Sequence, residues 1–347
     1  MTKLSPTIAW DHWHIELSSI CALQCPRCPR LEVPSDRLEK QLDLEFFQQR
    51  IGPDAVRHMR RVTFCGNDGD PIYCQDLVLI CGWLKQINPQ LQIVIVTNGS
   101  NRPVSWWHRL ATVLDHQDEI HWSLDGWDQG SNEQYRKNCR WSSICEGYQA
   151  FASVNTTTYR VWAAIAFRFN QHRLPTMQHT AKTMGFDCWQ LTKSTKFGSH
   201  YPEVYGQDDS LCPTLPDLIS SGHRFEREYV LLSRKARPEP LKEIYQQRAK
   251  QLEQSGQYPA LCRIGTKGVF VNSLGELYPC CWTANRYDHN QSWHKLSQSQ
   301  FNLYHRGWND IAQDSFWITD FNQFDSQECR TKCTLDRLRD LEHVTQW

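Results

Sequence analysis

The sequence predicts an α/β protein built on parallel strands, with a small α+β appendage near its C-terminal end. Two observations carry this. From Trp13 to about Gly198, strand-like runs alternate six times with helical patterns. Alternation on that scale implies repeated right-handed βαβ units. Farther on, Val269–Asn272 and Glu276–Tyr278 flank a Ser-Leu-Gly turn, which reads as a β-hairpin outside the repeat.

The strand-like runs are 13–20, 61–65, 91–97, 119–125, 159–168 and 188–193. Ile93-Val94-Ile95-Val96 is continuously apolar, as in a parallel strand covered on both faces. Between the strands, Leu77, Ile80, Leu84 and Ile87 recur at helical spacing, with Asp76 as N-cap and Pro89 as a stop. Trp107, Leu110 and Leu114 follow Pro103. Ile144, Tyr148, Phe151 and Ala152 form another helical stripe, and Leu174, Met177, Ala181 and Met184 a further one that Gly185 ends. The first helix, around Leu44 to Ile51, is less regular. Periodicity alone fits either a partial (β/α)6 barrel or a doubly wound open sheet.

Strand phase adds a prediction about the interior. His14, Glu16 and Ser18 share one face of the first strand, and His121, Ser123 and Asp125 one face of the fourth. Arg168 shares a face with Ala164 and Ala166, and Gln190 with Thr192. If the apolar faces pack on helices, these polar faces converge on a ligand cavity or a satisfied polar network.

Composition narrows the function classes. Lys+Arg and Asp+Glu are both 38 in a chain of 347 residues, which argues against nonspecific nucleic-acid or membrane binding. No apolar run reaches membrane-spanning length, and a cytoplasmic location is expected. Fifteen cysteines there point to metal ligation or redox chemistry rather than a disulfide framework.

The first cysteine set is Cys21-Ala-Leu-Gln-Cys25-Pro-Arg-Cys28, directly after the first strand. Three thiolates on one loop can hold three corners of an iron–sulfur cube and leave the fourth iron open. A structural zinc site needs four protein ligands, and no fourth Cys or His follows closely. Other motifs stand at strand ends, where parallel α/β folds bind ligands: Cys65-Gly66-Asn67-Asp68-Gly69-Asp70-Pro71 after the second strand, Thr97-Asn98-Gly99 after the third and Ser123-Leu124-Asp125-Gly126 after the fourth.

This spacing and order resemble the radical S-adenosylmethionine (SAM) superfamily, and the resemblance implies a partial (β/α)6 barrel. By resemblance, Cys21, Cys25 and Cys28 hold a [4Fe–4S] cluster that binds and cleaves SAM, and Gly66, Gly69, Asp70 and Pro71 match the loop that receives the SAM amino group. Asp70 replaces the Glu usual there, and the loop is longer. Thr97, Asn98, Ser123, Asp125, Arg168 and Thr192 are the expected SAM contacts, with Glu16, Asp125 and Arg168 as catalytic candidates. Arg27 stands where the family often has an aromatic residue, and its guanidinium can stack on adenine.

Near the C-terminus, Cys262, Gly275 and Cys280, spaced by twelve and four residues, resemble the opening of twitch and SPASM domains, and Cys329 and Cys333 would complete four ligands of an auxiliary [4Fe–4S] cluster. Cys281 could replace Cys280, since a one-residue hairpin shift would exchange them. The expected division is a barrel at 1–198, a bridging stretch at 199–260 and a twitch-like module at 261–347. The resemblance implies a flavodoxin or ferredoxin-type reductant and hydrogen-atom abstraction from a small polar or peptide substrate. The alternative is a zinc-binding structural or interaction protein using the same cysteine sets.

Overall fold

A computed structural model describes residues 10–192, 211, 227–231, 242–256, 260, 262, 268–285, 291–321 and 329. Cys212 and Cys333 lie outside the described residues.

All six expected strands form: β1 His12–Ile15, β2 Arg61–Phe64, β3 Gln92–Thr97, β4 Glu119–Ser123, β5 Tyr159–Ile165 and β6 Cys188–Thr192. Most end earlier than the apolar pattern, because the chain leaves the ladder to build the loops at their carboxyl ends. Each pairs in parallel with its sequence neighbours. Consecutive order leaves no switch point, so a barrel-type winding replaces the doubly wound alternative.

Three further strands extend this sheet. β7, Arg227–Leu231, lies in the stretch read as a bridge and pairs antiparallel with β6. The expected hairpin forms from β8, Val269–Val271, and β9, Leu277–Tyr278. β8 also pairs in parallel with β1, so the hairpin continues the barrel sheet on its first-strand side. That contact brings Cys281, Trp282 and Asn285, just after the hairpin, to one cavity with Cys21, Cys25 and Cys28.

The helices follow their stripes at Leu77–Ile87, Val104–Val113, Trp141–Val154 and Leu174–Met184. Gly185 ends the last in the left-handed region at φ 88°, where a side chain would be unfavourable. Asp76 does not cap its own helix with its side chain; its Oδ2 accepts from the Leu44 amide at 3.0 Å. The irregular first helix is a short α-turn, Leu44–Phe46, then a π-helical segment, Phe47–Ile51, then Gly52–His58. Between sheet and helices sit Trp13, Ile15, Ile95, Trp107, Trp122, Phe151 and Trp162, all buried. Each large side chain removed from water stabilises by about 1.5–3 kcal/mol. Among the described residues no helix is long and apolar enough to cross a membrane.

Candidate active site

The loop after β1 carries Cys21, Cys25 and Cys28, and all three line one cavity of about 380 Å³. Local bonds shape it: the Leu23 amide donates to Cys21 Sγ at 3.4 Å, and the Cys28 amide to the Cys25 carbonyl at 3.1 Å. From the end of β3, Asn98 Nδ2 lies 3.6 Å from Cys21 Sγ. Burial pushes the Cys21 and Cys25 thiols up to about 12, and Arg136 opposes this at Cys25 by charge and a hydrogen bond.

The β2 loop closes the floor. Gly66, Asn67, Gly69 and Asp70 line the same cavity. Gly69 is required by space: a Cβ there would stand 2.1 Å from the Ser18 carbonyl oxygen. The Asp70 amide donates to the Ile20 carbonyl at 3.0 Å, tying the loop to the chain just before Cys21. Asp70 is buried and accepts from Ile72 N (3.1 Å), Thr97 Oγ1 (2.8 Å), Asn98 N (2.7 Å) and Asn98 Nδ2 (2.6 Å). Burial raises its carboxyl above the usual range, and these bonds pull it back. Beneath the loop, Glu16 Oε1 accepts from Asp68 N at 2.6 Å and Gly69 N at 3.2 Å.

No protein-family model and no curated protein matches the sequence. Solved structures do. SuiB of Streptococcus suis, bound to S-adenosylmethionine, matches with a TM-score of 0.59 and 15% identity over 95% of this chain and 71% of that one. SuiB bound to its precursor peptide SuiA matches at 0.56 and 15% identity, over 93% of this chain and 69% of that one. Native anSMEcpe with bound AdoMet matches at 0.53 and 15% identity, over 94% and 87%. The chain shares the fold of these structures, a parallel partial barrel. On this fold the cysteine loop and the strand-end motifs meet at one cavity.

The donor set fits a cluster: three soft sulfur donors open on a common space, and metal binding would replace protons that burial otherwise holds on two of them. Among the described residues, no three His, Cys, Asp or Glu side chains converge on a single metal ion. A cubane spreads its ligands over separate irons, so it does not require such convergence.

The structure distributes the expected contacts unevenly. His14, Gly66, Gly69, Asp70, Thr97, Asn98 and Ser123 reach the cavity. Pro71 is buried outside its lining, opening the short Pro71–Tyr73 turn. Glu16 is beneath the loop rather than in the cavity. Asp125 is fully buried and does not line it either; Oδ2 accepts from Arg136 Nε at 2.6 Å and Oδ1 from Ile165 N at 2.7 Å. Arg168 is exposed past the end of β5, where Ile165 faces the cavity and Ala164 and Ala166 face the core. The small alanines gave no hydrophobic contrast, so the phase inferred for that strand was inverted. Thr192 ends β6, and its side chain lies outside the described residues. His121 forms part of a satisfied polar network, with Nε2 2.7 Å from Glu119 Oε2.

Arg136 and Tyr135 line the cavity although no motif marks them. Their neighbour Asp125 was the available signal, since a buried carboxylate demands a cation. Arg27 lines it too, as its place inside the cysteine loop requires.

Of the second cysteine set, Cys262 and Cys280 are buried and Cys329 is half-buried; Cys333 lies outside the described residues. Cys281 lines the same cavity as the first cysteine set, together with Trp282 and Asn285, and Cys280 does not.

Proposed function

We propose that this chain is a radical SAM enzyme. The observation that carries the reading is the convergence of Cys21, Cys25 and Cys28 with the β2, β3 and β4 strand ends on one cavity. Bound there, a [4Fe–4S] cluster and SAM supply reductive cleavage to a 5′-deoxyadenosyl radical that takes a hydrogen atom from a substrate carbon.

The protein's residues hold and orient. The three cysteines ligate the cluster. The backbone of Gly66 to Asp70, braced by Glu16, receives the SAM amino group, and the Asp70 bonds to Thr97 and Asn98 fix that loop against β3. Arg136, its orientation set by Asp125, supplies a guanidinium for the SAM carboxylate beside Ser123. Arg27 offers a planar group for adenine. Cys262, Cys280, Cys329 and Cys333 hold an auxiliary cluster, and a flavodoxin or ferredoxin-type protein supplies electrons. The substrate is small and polar or a peptide; SuiB bound to its precursor peptide SuiA supports the latter.

The test is anaerobic reconstitution with iron and sulfide, then reduction by dithionite in the presence of SAM. A brown protein that releases 5′-deoxyadenosine, and a Cys25→Ala variant that does not, is the expected result. A colourless zinc protein, or cleavage that persists in Cys25→Ala, overturns the reading.

A further inference from the structure

Beside the groups assigned to SAM above, the cavity lining holds side chains that take no part in that reading. Cys281, Trp282 and Asn285 follow the β8–β9 hairpin, and Asn67 joins them from the β2 loop. Asn67 Nδ2 donates to the Cys281 carbonyl at 3.1 Å, which sets the register of this strip against the cluster side. Its neighbour Cys280 is turned elsewhere, with Sγ 3.9 Å from Thr283 Oγ1. The two guanidiniums of the cavity come with the cluster loop instead: Arg27 lies within it, and Arg136 bonds the Cys25 thiol.

We propose that Cys281, Trp282, Asn285 and Asn67 form the substrate wall, and that it takes an uncharged peptide segment. A carboxamide both donates and accepts, as a peptide group does. An indole offers a broad apolar face for a side chain, and a thiol beside it packs as a small hydrophobe. Together these recognise amides and carbon without an ionic partner. The proposal deepens the reading of this cavity as the SAM and substrate site, and it rests on that reading.

The test is disulfide capture on the anaerobically reconstituted holoprotein. Fragments of similar size are presented as mixed disulfides: an N-acetyl dipeptide amide, a monosaccharide and a nucleoside. In the exchange the Cys281 thiolate attacks the fragment's disulfide, a new S–S bond forms, and the other half leaves as a thiol that takes up the proton. Peptide mapping should place the dipeptide amide on Cys281, enriched about fivefold or more over the other two. Trp282→Ala should remove that preference, and Cys281→Ser should keep the wild-type iron content.

Equal capture of all three fragments, or preference for the sugar or nucleoside, overturns the peptide assignment. Loss of iron in Cys281→Ser overturns the wall itself by making Cys281 a cluster ligand. So does failure of methyl methanethiosulfonate to modify Cys281 in the folded protein when the denatured chain reacts. Failure of the radical SAM reading is seen separately, as absence of 5′-deoxyadenosine from the reduced wild-type protein.

Discussion

Asp70 holds Asn98 twice through one oxygen: Oδ2 accepts from the Asn98 amide at 2.7 Å and from Nδ2 at 2.6 Å. Two strand ends, β2 and β3, are locked by this pair, and Asn98 Nδ2 also reaches Cys21 Sγ. Floor and cluster loop are therefore one hydrogen-bonded unit. An Asp suits this position where the related motif has Glu, because its shorter arm reaches Ile72 N and Asn98 N at once.

Asp70→Ala should destabilise the protein by at least about 2 kcal/mol, since each buried donor left unsatisfied costs about 1–3 kcal/mol. Asp70→Asn should lose stability too, because its amide nitrogen faces groups that are donors. Urea denaturation near neutral pH measures both. A change below about 0.5 kcal/mol in both would show that the lock is not what holds the floor.

Glu16 should tolerate neutralisation but not removal. Burial and the nearby Asp68 raise its carboxyl well above the usual range, while the Oε1 acceptor, bonded to two backbone amides, is what the loop needs. Glu16→Gln keeps that acceptor and should stay within about 1 kcal/mol of wild type. Glu16→Ala strands two backbone amides and should weaken SAM binding, read by calorimetry. Equal behaviour of the two variants would contradict the role.

These roles mark where the sequence was legible. The strands announced themselves by apolar runs, and their inner faces by His14 and Ser123, because both signals are local. Arg136 carried no such signal, since its place depends on Asp125, eleven residues earlier and folded back against it. The parallel pairing of β8 with β1 was equally invisible. Val269-Phe270-Val271 is apolar in any sheet, and its neighbour is more than 250 residues away. Nothing in the adjacent pair Cys280-Cys281 marked the second as the residue that lines the cavity.

Stability should carry opposing pH dependences. Burial raises Asp68 to about 7 and Asp118 to about 6, both from 3.8. Across those windows the folded chain keeps protons that the unfolded chain has lost, so these groups make stability fall as pH rises. His12 and His294 are lowered by burial from 6.5 to about 4, so the unfolded chain binds their protons first and stability rises with pH there. The pairs offset each other below about 6.5; above it Asp68 goes on lowering stability as pH rises, and Glu16, raised as well, acts in the same direction. Asp68→Asn should therefore gain on the wild type between about pH 4.5 and 7.5, seen as a widening difference in urea midpoints. A constant difference would place the raised carboxyl elsewhere.

The last prediction separates two arginines. Arg136 lines the cavity with its Nε bonded to Asp125, whereas Arg168 is exposed outside it. Arg136→Met would leave the fully buried Asp125 carboxylate without its partner, at about 3–5 kcal/mol, and would confuse unfolding with lost binding. Arg136→Lys avoids that by keeping the charge, but one ammonium cannot match a fork that serves Asp125 and the cavity together. It should weaken SAM binding about 10- to 100-fold, the equivalent of one charged hydrogen bond. Arg168→Ala should change it less than about twofold. Asp125→Asn should also weaken binding, through Arg136 rather than by contact, so its effect and that of Arg136→Lys should fall well short of additive in the double variant. Full additivity would mean that Asp125 meets the ligand by a route independent of Arg136. A larger loss from Arg168→Ala than from Arg136→Lys would reverse the assignment of the carboxylate site.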